Sequence, residues 1–247
     1  MEEKKKGGKR AAPNRRGWLL AALVLASLGI WGILEWRAHT APGPGISVNE
    51  EALTRSEPFY QYDAPGVTVR AGVDVSSYQG VVDWPAVKAA GADFAMLRVG
   101  FRGYGTGVLV EDSTFAQNAD DAAKAGLTVG VYFYSQAVTE EEAAEEARFV
   151  VERLRETDVS GPVAYDLEFY TADEARTDDL TGQQATQNAL TFCDVIRQAG
   201  YEPVVYMNLH WAGSMYGMEE LAHLPVWLAS YGPVPALDRG VTLWQYS

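Results

Sequence analysis

Residues 128–167 read TVGVYFYSQAVTEEEAAEEARFVVERLRETDVSGPVAYDL. The run Thr128–Phe133 is apolar and β-rich, and Thr139 with Glu142 three residues later is the pairing that opens a helix. A second apolar run, Val163–Leu167, closes the stretch. Two such runs joined by a helix form a βαβ unit, which implies a parallel sheet. Outward from this unit the pattern repeats, with strands near Ala71–Val75, Phe94–Val99, Pro203–Met207, Val226–Ala229 and Thr242–Tyr246 bringing the total to seven. Helix starts are marked at Asp83 before Trp84-Pro85 and at Thr181 with Gln184. Helix ends are marked at Ala90-Gly91, Ala125-Gly126 and Ala199-Gly200, where glycine can take the left-handed cap conformation.

About 175 residues of regular alternation predict an α/β domain over residues 70–247, an irregular (β/α) TIM-like barrel. An open doubly wound sheet fits less well, because no glycine-rich phosphate loop follows the first strand. The nearest match, Gly103–Gly107 (GYGTG), follows the second strand and lacks the rest of a dinucleotide fingerprint. The chain of 247 residues is 47% hydrophobic, which excludes disorder over its whole length. Its formal charge of −13 is unevenly spread: residues 1–40 carry +5 and the remainder −18. An acidic domain repels phosphate backbones, so nucleic acid is not an expected partner. One cysteine, Cys193, excludes an intrachain disulfide, and its helical apolar setting predicts a buried small residue. The acidic group Glu140, Glu141, Glu142, Glu145 and Glu146 sits at a helix start and reads as a solvated face complementing the helix dipole.

The N-terminal residues have a different character. Residues 1–17 form a basic tail, and Trp18–Leu34 is free of charged side chains, reaching roughly 26 Å as a helix. Residues 18–36 are therefore expected to be a single-pass transmembrane anchor with the basic N-terminus cytoplasmic and the domain extracellular. A cleavable signal peptide followed by secretion is the alternative, although Glu35, Trp36, Arg37 and His39 offer no small-residue cleavage site. Residues 37–69, rich in proline and glycine from Pro42 to Gly66, read as a linker holding the domain off the bilayer.

In a (β/α) barrel the chemistry lies at the C-terminal ends of the strands. There the chain places Asp74, Arg98, Tyr132, Tyr134, Asp166, Glu168, Tyr206, Asn208, Ser230 and Gln245. Asp166 and Glu168 stand two apart and project to one side, with α-carbons roughly 6.5 Å apart. Asp74 can reach the same mouth. Crowded carboxyls in a partly apolar pocket raise at least one pKa, producing a group able to donate a proton. One acid and one charge-stabilising partner are what glycoside hydrolysis requires. Tyr78, Tyr104, Trp211, Trp227 and Trp244 add flat rings suited to pyranose faces, with core packing as the competing role for each. Taken alone, Asp-x-Glu is also compatible with a solvated strand end, with an ion pair to Arg98, or with Mg²⁺ or Ca²⁺. His39, His210 and His223 have no ligand spacing, and no metal is assigned.

Several segments resemble the glycoside hydrolase family 25 lysozymes in order and spacing. They are GVDVSSYQG (72–80), VDWPAVKAAG (82–91), FAMLRVGFRGYGTG (94–107), AGLTVGVYFYS (125–135), PVAYDLEF (162–169), AGYEPVVYMN (199–208), LPVWLASY (224–231) and LWQYS (243–247). The resemblance implies a muramidase that needs no cofactor and cleaves the β-1,4 bond between N-acetylmuramic acid and N-acetylglucosamine in peptidoglycan. It further implies Glu168 as general acid, Asp166 as the partner that orients the substrate's own N-acetyl group, and Asp74 as the first-strand aspartate of the site. The substrate-binding set expected with them is Tyr78, Arg98, Tyr104, Tyr132, Tyr134, Tyr206, Asn208, Trp211, Trp227, Trp244 and Gln245. Members of the family continue past the WQYS-like strand through a segment that completes the barrel. The expectation for this chain is accordingly either a fragment or a barrel short of its last strand. A non-catalytic peptidoglycan-binding module and a hydrolase of another polysaccharide are the other readings, and retaining or inverting outcome stays open.

Overall fold

The computed structural model describes residues 44–170 and 172–247. Seven parallel strands form the central sheet: β3 (Gly72–Val75), β4 (Phe94–Arg102), β6 (Thr128–Ser135), β7 (Val163–Leu167), β8 (Pro203–Asn208), β9 (Val226–Ala229) and β10 (Leu243–Gln245). Each lies beside its predecessor, as in a singly wound barrel, and β5 (Leu109–Glu111) adds antiparallel to β4. The sheet does not close. β10 and β3 are its two ends and share no backbone pairing, so the sheet is a curled, open half-barrel, in line with the expected barrel short of its last strand. A cleft of about 380 Å³ lies along this seam, lined by Phe59, Asp74, Phe94, Trp227 and Gln245 among others.

Helices α1 (Trp84–Ala89), α2 (Phe115–Lys124), α3 (Glu140–Leu154), α4 (Gly182–Gln198) and α5 (Leu209–Ser214) alternate with the strands. Their caps follow the local chemistry. Asp83 Oδ1 accepts from Ala86 N–H, Thr139 Oγ1 from Glu142 N–H, and Thr181 Oγ1 from Gln184 N–H. Gly91, Gly126 and Gly200 follow three helix ends with φ of 106°, 81° and 90°. No helix intervenes between β9 and β10, and GYGTG forms the turn from β4 to β5, with Gly103 N–H donating to Val108 O at 2.9 Å. At Gly100 the register of β4 against β6 shifts, and a side chain there would strike the Val110 carbonyl of β5.

Alternation along each strand produces two cores. Val131, Phe133, Tyr165, Leu167, Val205 and Leu228 face the helices and pack with residues such as Val150, Phe192 and Ile196. Met96, Ala164, Val204, Tyr206, Trp227 and Ala229 line the inside of the curl. Cys193 is buried between sheet and helices.

Two expectations are corrected. Residues 44–69, read as linker, are folded onto the N-terminal ends of the strands. Leu53–Thr54 (β1) pairs with Gln61–Tyr62 (β2), Ile46 bridges Val241, and the Tyr60 ring stacks on Tyr246 at 4.2 Å. This segment walls a cavity of about 820 Å³ at the strand starts, away from the carboxylates. The acidic group on α3 is not a solvated face throughout: Glu146 is fully buried, where it accepts from Arg102 Nε at 2.8 Å and Ser135 Oγ at 2.6 Å. Burial pushes the Glu146 carboxyl up to about 7 against those partners. The segment Trp18–Trp36 lies outside the described residues. No helix among those described is long and apolar enough to cross a membrane.

Candidate active site

Parallel register sets paired residues on a common face of the sheet, and this brings the polar strand ends together. Tyr134, Asp166 and Tyr206 are aligned across β6, β7 and β8, while Asp74 is aligned with Met96 and Ala229 with Gln245. All of these lie on the inner face of the curl. Glu168 follows two residues after Asp166, immediately beyond β7. Its carboxyl meets the Tyr206 hydroxyl, and Tyr206 is the register partner of Asp166.

The electrostatics of these acids are shared. Burial raises Asp166 well above the ordinary aspartate range, and the negative charges of Glu168 and Asp74 add to it, with Arg98 opposing. Burial also raises Glu168, and the Tyr206 hydroxyl pulls it back. Asp74 is raised by burial against a hydrogen bond from Gln245. Both carboxyls are thus raised, Asp166 in part by the Glu168 charge, so this mouth favours a held proton above the ordinary carboxylate range. Asp166 Oδ1 is buried and has no hydrogen-bond partner among the described residues.

Gln245 organises the seam side of the mouth. Its Nε2 donates to Asp74 Oδ2 at 3.1 Å, and its Oε1 lies 3.3 Å from the Tyr206 hydroxyl and 2.9 Å from that of Tyr231. On the other side Ser76 caps a short turn that carries Tyr78, which is 85% exposed and has the Arg98 guanidinium 5.0 Å from its ring centre. Arg98 itself is held by Asp112, at 2.7 and 2.8 Å, and by Ser77 Oγ at 3.1 Å. The arginine therefore pairs with Asp112 and not with the Asp-x-Glu acids. Burial pushes Asp112 upward, but the Ser77 and Thr114 donors and Arg98 outweigh it and hold the carboxyl below its ordinary value. Tyr104 stacks on Tyr170 with ring centres 3.8 Å apart at the same mouth.

Not every expected ligand contact lies at the mouth. Trp211 is 2% exposed and packs on Phe169 and Tyr216 in the helix-side core, so it cannot meet a substrate. Trp244 is aligned with Leu228 on the outer face, donates to Ser230 O at 2.7 Å and packs near Tyr60 and Tyr246. Trp227 lies inside the curl as wall, edge-on to Tyr132 and Tyr206. Asn208 caps α5 through Trp211 N–H at 3.0 Å. Tyr231 and Tyr170 are additions at the mouth. Tyr231 ends the quoted segment 224–231 and Tyr170 directly follows the quoted segment 162–169, and their aromatic character was the available signal.

A curled parallel sheet with buried carboxyls raised above their ordinary range at its C-terminal mouth is the arrangement of an acid-base hydrolase of glycosides. Residues 73–247 match the family described as glycosyl hydrolases family 25, and the chain belongs to that family. It is 27% identical over 177 residues to the autolytic lysozyme of Clostridium acetobutylicum, covering 71% of this chain and 50% of the relative. It is 28% identical over 198 residues to lysozyme M1 of Streptomyces globisporus, covering 71% of this chain and 61% of the relative. The chain thus spans about half to three-fifths of the length of these curated relatives. In fold it is similar to a family 25 glycosyl hydrolase from Bacillus anthracis, with a TM-score of 0.61 at 20% identity over 78% of this chain and 85% of that one. It is likewise similar to the modular autolysin LytC of Streptococcus pneumoniae, solved in complex with a synthetic peptidoglycan ligand. That match has a TM-score of 0.61 at 22% identity over 72% of this chain and 42% of that one.

Proposed function

We propose that the chain is a muramidase that hydrolyses the β-1,4 bond between N-acetylmuramic acid and N-acetylglucosamine in peptidoglycan. Glu168 passes its proton to the bridging oxygen as the bond from that oxygen to the anomeric carbon breaks. Asp166 orients the substrate's N-acetyl group against the positive charge that develops, and water then adds at the anomeric carbon, returning a proton to Glu168. Asp74, held by Gln245, contributes negative charge to the same mouth. The observation that carries this reading is the pair Asp166 and Glu168, both raised by burial, with a buried oxygen of Asp166 that has no hydrogen-bond partner among the described residues. The named relatives are lysozymes, which supports peptidoglycan as the substrate class.

The test is release of reducing ends from purified peptidoglycan, with mass spectrometry of the products. Muramic acid at the new ends is expected, and Glu168→Gln should lower turnover by about 10²–10⁴-fold with its melting temperature retained. Near-normal turnover in that variant removes Glu168 from its role. Sedimentation with peptidoglycan without hydrolysis by the unaltered chain would make it a binding module.

The placement proposed for the domain is outside the cytoplasmic membrane, tethered by residues 18–36 with the basic tail cytoplasmic. The support is the uncharged run Trp18–Leu34 behind seven Lys/Arg. Tethering would raise effective concentration for an acidic domain whose contacts with glycan are short-ranged. Before treatment the domain should fractionate with the membrane, and protease added to intact cells should digest it. Recovery of the domain in the medium would favour secretion after cleavage.

A further inference from the structure

We infer that Gln136 is the residue that positions the proposed acid, Glu168, by holding its main chain; the inference rests on the muramidase reading. Gln136 lies in the loop after β6 and is fully buried. Its Nε2 donates to the backbone carbonyl of Glu168 at 2.9 Å, and its Oε1 accepts from Thr177 Oγ1 at 2.9 Å. Thr177 is also fully buried, within the loop that leads from β7 to α4.

The position explains why such a brace is needed. The register of β7 with β6 ends at Leu167 and with β8 at Asp166, so Glu168 stands beyond the last aligned pair on either side. Without a tether its backbone would move with the following loop, and a proton donor displaced by a fraction of an ångström loses alignment with the bond it protonates. Gln136 is itself immobilised. Its N–H approaches Glu146 Oε1 at 3.4 Å, and the next carbonyl, that of Ala137, accepts from buried Asn188 Nδ2 at 2.9 Å. A carboxamide is the suitable group, since one end must donate to a carbonyl while the other accepts from a hydroxyl. A glutamate here would set a carboxylate oxygen against the Glu168 carbonyl. Gln136 does not touch the reacting atoms and acts through Glu168.

Kinetics of the full chain on solubilised peptidoglycan test this directly. Gln136→Met, of similar length but without polar ends, should lower kcat by tenfold or more with KM changed less than about twofold. Thr177→Val, which leaves Gln136 in place but frees its amide to rotate, should give a smaller loss in the same direction. On a Glu168→Gln background Gln136→Met should cost nothing further. A titration of ¹³C-labelled glutamate carboxyls supplies a readout independent of turnover: in Gln136→Met the Glu168 midpoint should fall, because a loosened side chain gains solvent. A folded Gln136→Met with unchanged kcat and an unchanged Glu168 midpoint overturns the inference. Should that variant fail to fold, unchanged kcat and midpoint in Thr177→Val do the same. If Glu168→Gln itself retains turnover, the muramidase assignment of Glu168 has failed instead.

Discussion

The Gln245 carboxamide donates to Asp74 at 3.1 Å, joining by side chains the last and first strands of a parallel sheet whose backbones do not pair there. The same carboxamide accepts from the Tyr231 hydroxyl, so a single group ties the seam to the acid-lined mouth. Gln245→Leu removes these bonds together. Its melting temperature should fall by about 2–8 °C, the equivalent of about 1–2 kcal/mol for a domain of this size, as measured by calorimetry. An unchanged melting temperature would show that the seam is held by other contacts.

The pH profile of turnover should follow the pair Asp166 and Glu168. Glu168 must carry its proton to act, and its raised pKa extends the active range above that of an ordinary glutamate, with activity lost as pH climbs through the raised value. The Tyr206 hydroxyl lowers that value, so Tyr206→Phe should shift the alkaline limb of kcat to higher pH, while turnover at the optimum falls by less than about tenfold. A limb that moves down, or not at all, would separate Tyr206 from the acid.

Glu146 makes stability depend on pH. It is protonated in both states below the ordinary glutamate range; from about 4.5 to about 7 the folded chain keeps the proton that the unfolded chain releases. Stability should therefore fall across that window and level off above it. The raised acids of the mouth act in the same direction. The difference between wild type and Glu146→Gln, measured by denaturant titration at several pH values, isolates the Glu146 share. A flat difference curve would show that Arg102 and Ser135 outweigh burial and keep the carboxyl ionised.

Two aromatic residues with the same expected role should behave in opposite ways. Trp211→Ala empties a core position and should cost about 3–5 kcal/mol of stability. Tyr78→Ala removes a ring that is 85% exposed at the mouth, so its melting temperature should stay within about 2 °C while KM for peptidoglycan rises. A stable Trp211→Ala with weakened binding would reverse these placements.

The strand and helix pattern was largely legible because its causes are local. Thr139, Thr181 and Asp83 cap helices through donors three residues away, and Asp166 and Glu168 share a side because strand geometry has a period of two. The errors arose where distance along the chain matters. Trp244 and Gln245 are neighbours in sequence, yet register against β9 turns one outward and the other to the acids. Glu146 and Glu145 look alike on a helix start, but only Glu146 faces Ser135, eleven residues earlier on β6. Residues 44–69 showed no periodicity because their strands are only two residues long and the segment is fixed by single contacts far along the chain, such as Ile46 with Val241 and Tyr60 with Tyr246.

From its sequence alone this chain is determined to be a parallel α/β domain with paired acids at one strand end, since propensity, capping and alternation act over a few residues. Tertiary structure decided that Gln245 spans the seam of the open sheet, that Trp211 belongs to the core, and that Gln136 reaches Glu168. Those outcomes depend on how strands far apart in the chain come into register, and burial and hydrogen-bond partners are defined only once that register exists.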